Sequence, residues 1–458
     1  MKIESKAVPA EFNSSILRGA RASMQQFESS PHIAKLRAAT DQYEALPLTP
    51  AVLPGETVRQ VERVCQLLFM GLSMILQRAF RGDIVRLASY LRLSPIEFAG
   101  LRIPPEYPWA VLARPDIIIN GSQVTIVETN MTGGLGGIGV GELVTRAQLD
   151  ATALAPHLDK LRHPWDSRAS IAKLFCHLVP ELRDGALLVL VDWPEHFVLS
   201  NRTRPWYYDF LVGQLREVGI NASSCSVDDL QIDRTAVTLG GTRVCAINRF
   251  FEPPLGRDSP SIYQFMNLVE AVSNRAVHLI DDFRGLLLGS KIMLALLTDD
   301  RFTGVLPGAL AQELAAHIPW TRIVEDCDTT VDGHRVSLLD WAHSHKNDLV
   351  LKPGRGFNGI NVVVGRDTTQ PGWLSSLDGA SAQSDEVWLL QRFVEPETLE
   401  LPQVVNGQLD VRAAKTVYGA FMMGGRLRGL LRRNSTSKTH GYNVTRTVGV
   451  SSVVAYGS

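Results

Sequence analysis

Apolar residues recur at three- and four-residue spacing through residues 57–91, TVRQVERVCQLLFMGLSMILQRAFRGDIVRLASYL, with few strand signals. This period predicts a chain that is mainly helical to about residue 100. The pattern then changes. Residues 110–112, 117–119 and 124–127 are short apolar runs, the last two rich in β-branched side chains, and Asn120-Gly121 between them is a strong hairpin signal. A glycine-dense stretch follows, with Gly133, Gly134, Gly136, Gly137, Gly139 and Gly141.

From about Ala169 the pattern becomes α/β. Residues 186–191, ALLVLV, form a continuous apolar run, as a strand covered on both faces would. A helix over 207–218 and strands over 221–226 and 244–248 are expected next. The stretch 261–297 reads as mostly helical, and 320–324 as a strand. Residues 348–352 and 361–364 flank a second glycine-rich turn, and 387–393 is apolar and β-rich. Residues 413–423 and 426–431 read as a hairpin around Gly424-Gly425.

Composition bounds the function without naming it. The chain has 458 residues, 45% hydrophobic and 20% charged, an ordinary globular mix of a size for several packed units. With 46 Lys and Arg against 47 Asp and Glu, it lacks the basic surface of a dedicated nucleic-acid binder. The five scattered cysteines form no CxxC pair, which fits a reducing cytoplasm. The run at 67–76 is well short of the roughly 20 residues that span a bilayer, and no signal peptide is visible.

Four clusters could carry chemistry. In the first, Arg114 and Asp116 precede the hairpin turn, and Glu128 and Asn130 follow it. Side chains two apart on a strand share a face, so a hairpin closing at Asn120-Gly121 brings Asp116 beside Glu128 and Asn130. Two carboxylates and an amide carbonyl suit Mg²⁺, and an exposed polar hairpin face is the competing reading. In the second, a strand delivers Lys352 into a loop with Gly354, Gly356 and Gly359. Such a loop can bring backbone N–H groups and a point charge onto phosphate, or can be a plain glycine turn. It is neither a Walker A loop nor a dinucleotide fingerprint, because a strand and not a helix follows it. In the third, Gln391, Phe393, Val394 and then Glu397 look like a linker lining an adenine pocket, though acidic residues after a strand are usually just solvated. In the fourth, alternation on 426–434 puts Arg432 and Arg433 on opposite faces, either to stabilise a transferring phosphoryl group or to protect a sheet edge.

Together these clusters resemble the ATP-grasp ligases with the chain order changed: the acidic metal strands come first and the nucleotide lysine and hinge lie far downstream. That order is similar to the circularly permuted ATP-grasp family that includes glutathionylspermidine synthetase, whose Arg-x-Asp, hairpin, Glu-x-Asn pattern is matched by Arg114, Asp116, Glu128 and Asn130. The resemblance runs from about Ala110 to the C-terminus. It implies an α/β (α+β) chain with a permuted ATP-grasp fold and a Rossmann-like pre-ATP-grasp domain. The expected units are a helical N-terminal region at 1–105, metal-binding strands with the glycine-rich segment at 106–165, an α/β substrate domain at 166–285 and nucleotide-binding subdomains at 286–458.

By the same resemblance, Asp116, Glu128 and Asn130 would hold two Mg²⁺ ions, with Arg114 beside the transferring phosphate. Lys291 and Lys352 would be the two ATP lysines, with Gly354, Gly356 and Gly359 as a flap. Gln391, Phe393, Val394 and Glu397 would form the adenine hinge. Arg432 or Arg433 would stabilise the acyl phosphate, and Arg249 would meet a substrate carboxylate. The implied activity is ATP- and Mg²⁺-dependent amide-bond formation through an acyl phosphate, between small carboxylate and amine substrates such as amino acids or peptides. A carrier-protein-bound substrate and a homo-oligomer built on the N-terminal helices are equally compatible. The alternatives are a phosphotransferase of the kinase or dikinase kind, with His440 as its histidine, and a degenerate ATP-binding protein without activity.

Overall fold

The computed structural model describes residues 23–40, 45–150, 161–162, 165–197, 206–356, 360–383, 385–435 and 449–456. Gly359 and His440 lie outside them. The described chain is a mixed α/β structure built on three main sheets.

The largest has nine strands. Its spine is Gln408–Met423, which pairs along one edge with Arg426–Ser435. Along the other edge it pairs first with Thr398–Val405 and then with Leu112–Asn120. Leu112–Asn120 turns back into Gln123–Asn130, and Gly121 at φ +59° with no positive φ at Ser122 is the pattern of a type II′ turn. Asn120 therefore pairs with Gln123 and closes the turn, one place later than the Asn-Gly signal alone suggests. The Ile117, Ile119, Val124 and Ile126 side chains are buried against the helix Gly55–Met74, which offers Val61, Val64, Leu68 and Leu72 at helical spacing.

The second sheet is parallel at its centre. Leu187–Asp192, the expected apolar run, lies between Ala222–Ser226 and Thr242–Arg249, and His278–Ile280 extends the sheet. Both faces are covered, which is why the sequence there is apolar without alternation. The third sheet is antiparallel, in the order Thr321–Ile323, Trp388–Arg392, Leu349–Pro353, Val363–Val364. The helices Leu338–Ser344 and Gln370–Ala382 cover it through Leu338, Trp373 and Leu377.

Three features differ from the sequence expectation. The first 105 residues are not a separate helical unit, because Ala45–Pro47 and Ala51–Pro54 are strands of the nine-stranded sheet. His278–Ile280 is a strand inside a stretch expected to be mostly helical. A further strand, Gly449–Tyr456, follows the last expected hairpin and pairs in parallel with Ala51–Pro54. The strands at 45–47, 51–54 and 278–280 have only three or four residues, too few positions for a period to show, and Gly449–Tyr456 finds its parallel partner far away in the chain. Among the described residues no helix is long and apolar enough to cross a membrane.

Candidate active site

Cross-strand register builds the acidic cluster. Asp116 pairs directly with Glu128, and Arg114 with Asn130, so the four side chains share one face of the hairpin. A bulge between Asp116 and Ile117 separates this polar end from the apolar end that enters the core. On the other side of the same strand Asp116 pairs with Gly419, and two residues further along, on the same face, Val417 meets Arg433. Arg433 therefore lies on the face of Asp116, with its Nη2 2.7 Å from Asp116 Oδ2. Arg114 Nε approaches the other carboxylate oxygen to 3.2 Å, and its Nη1 donates to the Gly136 carbonyl at 2.8 Å.

Two lysines arrive from elsewhere. Lys291 sits immediately before the short helix Ile292–Leu296, with Nζ 3.0 Å from Glu128 Oε1, and it donates to the Gly356 carbonyl at 2.6 Å. Its backbone N–H donates to the Gly354 carbonyl at 3.2 Å, so lysine and glycine turn are tied twice. Lys352 Nζ donates to Gln391 Oε1 at 2.6 Å and to the Val127 carbonyl at 3.3 Å. Six expected residues thus meet: Arg114, Asp116, Glu128, Lys291, Lys352 and Arg433. The Asn130 amide donates to the Arg114 carbonyl at 3.2 Å, which leaves its Oδ1 as an acceptor beside the two carboxylates.

The electrostatics follow from crowding. Burial pushes the Asp116 carboxyl up, but Arg433 and then Arg114 outweigh it, and the group ends below the ordinary carboxylate range. Burial pulls Lys352 down to about 8, against the opposing effect of Glu128 and with that of Lys291. Arg433 is lowered by burial, with Asp116 acting against the fall. These are cations held in a low-dielectric niche, where their attraction for an anion is strong.

Arg432 faces the other way. Its Nη2 donates to the Thr49 carbonyl at 2.7 Å, and burial lowers it to about 10. Of the two arginines, Arg433 is the one beside Asp116. Gln391 is buried and braces Lys352 against Thr321, to whose hydroxyl its Nε2 donates at 3.1 Å. The Phe393 N–H donates to the Asp348 carbonyl and its ring lies 4.0 Å beneath the Arg366 guanidinium carbon, while half-buried Val394 and exposed Glu397 follow on the same linker.

Arg249 requires a correction. It is 0% exposed, and its guanidinium donates to the backbone carbonyls of Phe251 at 2.7 Å, Asp281 at 3.0 Å and Asp282 at 3.4 Å. With Phe283 stacked 4.5 Å away, it fastens the ends of two parallel strands and offers no face to a substrate carboxylate. Spacing alone could not separate a docking arginine from this staple.

Two residues of the site escape sequence reasoning. A Cβ at Gly419 would lie 2.8 Å from Arg114 Cδ, so glycine is what lets Arg114 cross the sheet surface. Arg355, in the glycine turn, reaches the N-terminal region and donates to both oxygens of Glu97 at 2.9 and 3.0 Å. Glu97 also accepts from the Ser94 N–H and hydroxyl as a helix-capping box, and that S-x-x-E pattern was the available signal.

No protein-family model matches the chain, and no curated protein matches it by sequence. Solved structures do. A glutathione synthetase-like effector from Globodera pallida superposes with a TM-score of 0.53 at 15% identity, over 90% of each chain. A protein from Methylobacillus flagellatus KT, provisionally named a gamma-glutamylcysteine synthetase, aligns with a TM-score of 0.41 at 14% identity, over 82% of this chain and 84% of that one. The chain shares the fold of a glutathione synthetase-like protein across nearly its whole length.

Proposed function

We propose that the chain is an ATP- and Mg²⁺-dependent carboxylate–amine ligase of the circularly permuted ATP-grasp kind. The observation that carries this reading is the meeting of Asp116 and Glu128 with Arg433, Lys291 and Lys352, drawn from separated parts of the chain onto one site. A solvated hairpin face has no reason to gather buried cations of this kind.

The donor set fits a magnesium-bound nucleotide. Asp116, Glu128 and the Asn130 carbonyl are hard oxygen ligands on one face, and each carboxylate already faces positive charge. They would hold Mg²⁺, which when bound would screen the phosphate oxygens. Lys291 and Lys352 would bind and orient the ATP phosphates, and Gly354 and Gly356 would close over them. A substrate carboxylate oxygen would attack the γ-phosphorus as the bond to ADP breaks, giving an acyl phosphate. An amine would then attack the carbonyl carbon and expel inorganic phosphate. Arg433, whose Nε has no acceptor among the described residues, and Arg114 would stabilise the charge on the transferring group. Closure of the glycine turn would keep water from the acyl phosphate. The substrates proposed are amino acids, peptides or carrier-bound acids, in a biosynthetic role.

The test is ADP release with amino acids offered in pairs, followed by mass spectrometry of the product. Amine-dependent turnover with a condensed product is expected from the wild-type chain, and not from D116N or E128Q. ADP release that needs no amine and yields a phosphorylated acceptor would assign a phosphotransferase instead.

A further inference from the structure

A second constellation lies outside the site described above, on the parallel sheet. The ligand atoms of Glu181, Cys245 and His278 all lie within 4.8 Å of one another. Three different elements supply them: the 3-10 turn Pro180–Asp184, the strand Thr242–Arg249 and the neighbouring strand His278–Ile280. Cys245 is the extra residue of a bulge, since Val244 pairs with Leu187 and Ala246 already with Leu188. A bulge re-aims the side chain it carries, and here it frees Cys245 from the regular alternation.

The imidazole is held from behind. His278 Nδ1 lies 2.7 Å from Glu106 Oε1 and 2.9 Å from the Tyr107 hydroxyl. Histidines that bind metal characteristically give their second ring nitrogen to a carboxylate in this way, which fixes the ring and raises its basicity. Glu181 is exposed and Cys245 and His278 are half-buried, so an ion has an entry path.

The geometry points to a Zn²⁺ site formed by Cys245, His278 and Glu181, with Glu106 and Tyr107 orienting the imidazole. Sulfur, nitrogen and carboxylate oxygen are the donors zinc accepts, and three protein ligands leave the fourth tetrahedral position to water. The ion takes the thiolate of Cys245, whose proton passes to solvent, and the Nε2 that Glu106 and Tyr107 leave open. Its place in the fold indicates its work. Cys245 and His278 lie toward the N-terminal ends of their parallel strands, opposite the ends where open α/β sheets bind substrates. Zinc there tethers the turn at 180–184 to two strands.

The experiment treats the full chain with EDTA, then dialyses it against Zn²⁺ or Co²⁺ in excess Mg²⁺. Stoichiometric zinc uptake, a thiolate-to-cobalt charge-transfer band and a raised melting temperature are expected. C245S should abolish the band, whereas C327S and D116N should keep it. E106Q, which alters no ligand, should weaken zinc about 10–100-fold. Because Glu181 is exposed, E181Q should weaken zinc while leaving the circular dichroism unchanged. No saturable uptake, a band that survives C245S, or uptake that disappears in D116N would overturn the assignment.

Discussion

Arg249, at the end of a parallel strand, and Arg433, in the antiparallel sheet, are both enclosed by protein and both lie near a carboxylate. Their partners separate them. Arg249 spends its donors on three backbone carbonyls within its own neighbourhood, and its ion pairs to Glu252 at 3.4 Å and Asp281 at 3.7 Å are looser than its bonds to the Phe251 and Asp281 carbonyls. Among the described residues Arg433 bonds to no backbone carbonyl. It faces Asp116 at 2.7 Å, in a group where Glu128, Lys291 and Lys352 also meet. Backbone carbonyls cannot leave without local unfolding, whereas side-chain carboxylates can exchange one cation for another. Burial and charge alone do not mark a functional arginine; exchangeable partners do.

Paired substitutions should break this contrast most sharply. R249M strands buried carbonyls and Asp281 without their cation and should cost about 3–5 kcal/mol of stability in chemical denaturation. R433M leaves Asp116 paired with Arg114, so stability should change far less while turnover falls about 10²–10³-fold. If R433M unfolds the chain and R249M only slows it, the two roles are reversed.

Titration sharpens the comparison next. The free protein loses the Lys352 proton as pH passes about 8, and bound phosphate favours the charged form. ATP affinity, followed by calorimetry, should therefore fall above pH 8 by up to about tenfold per unit. A flat profile from pH 7 to 9 would remove Lys352 from the phosphates.

The Arg249 region should respond in stability instead. Burial raises Asp281 from 3.8 to about 7, with Arg249 opposing the rise. Its folded pKa exceeds its unfolded one, so its contribution is complete below about 3.8 and is lost as pH rises through about 7. Each such group changes stability by up to about 1.4 kcal/mol per pH unit inside that window. D281N should flatten this part of the pH–stability curve without altering the pH dependence of ATP binding.

The smallest effect is expected at the join between the glycine turn and the N-terminal region. R355A removes two bonds to Glu97 and should raise the KM for ATP several-fold while the melting temperature moves little. An unchanged KM would detach that region from nucleotide binding.

Much of this was legible in the chain itself. The two-residue period of a strand placed Glu128 and Asn130 on one face, because local geometry decides it, but the bulge that leaves Val127 unpaired is what brings Asp116 onto that face. The apolar run at Leu187–Asp192 showed a strand covered on both sides for the same local reason. What the sequence could not contain was partnership between distant segments. Arg432 and Arg433 differ only in parity, and the register of three strands is what turns Arg433 toward Asp116 and Arg432 toward Thr49. Arg249 has the same chemistry as a docking arginine until the carbonyls of Phe251, Asp281 and Asp282 close around it. Ala45–Pro47 and Ala51–Pro54 carry no period of their own and become strands only because Thr398–Val405 and Gly449–Tyr456 lie beside them. Local conformation follows from neighbours along the chain; the employment of a buried charge follows from neighbours in space.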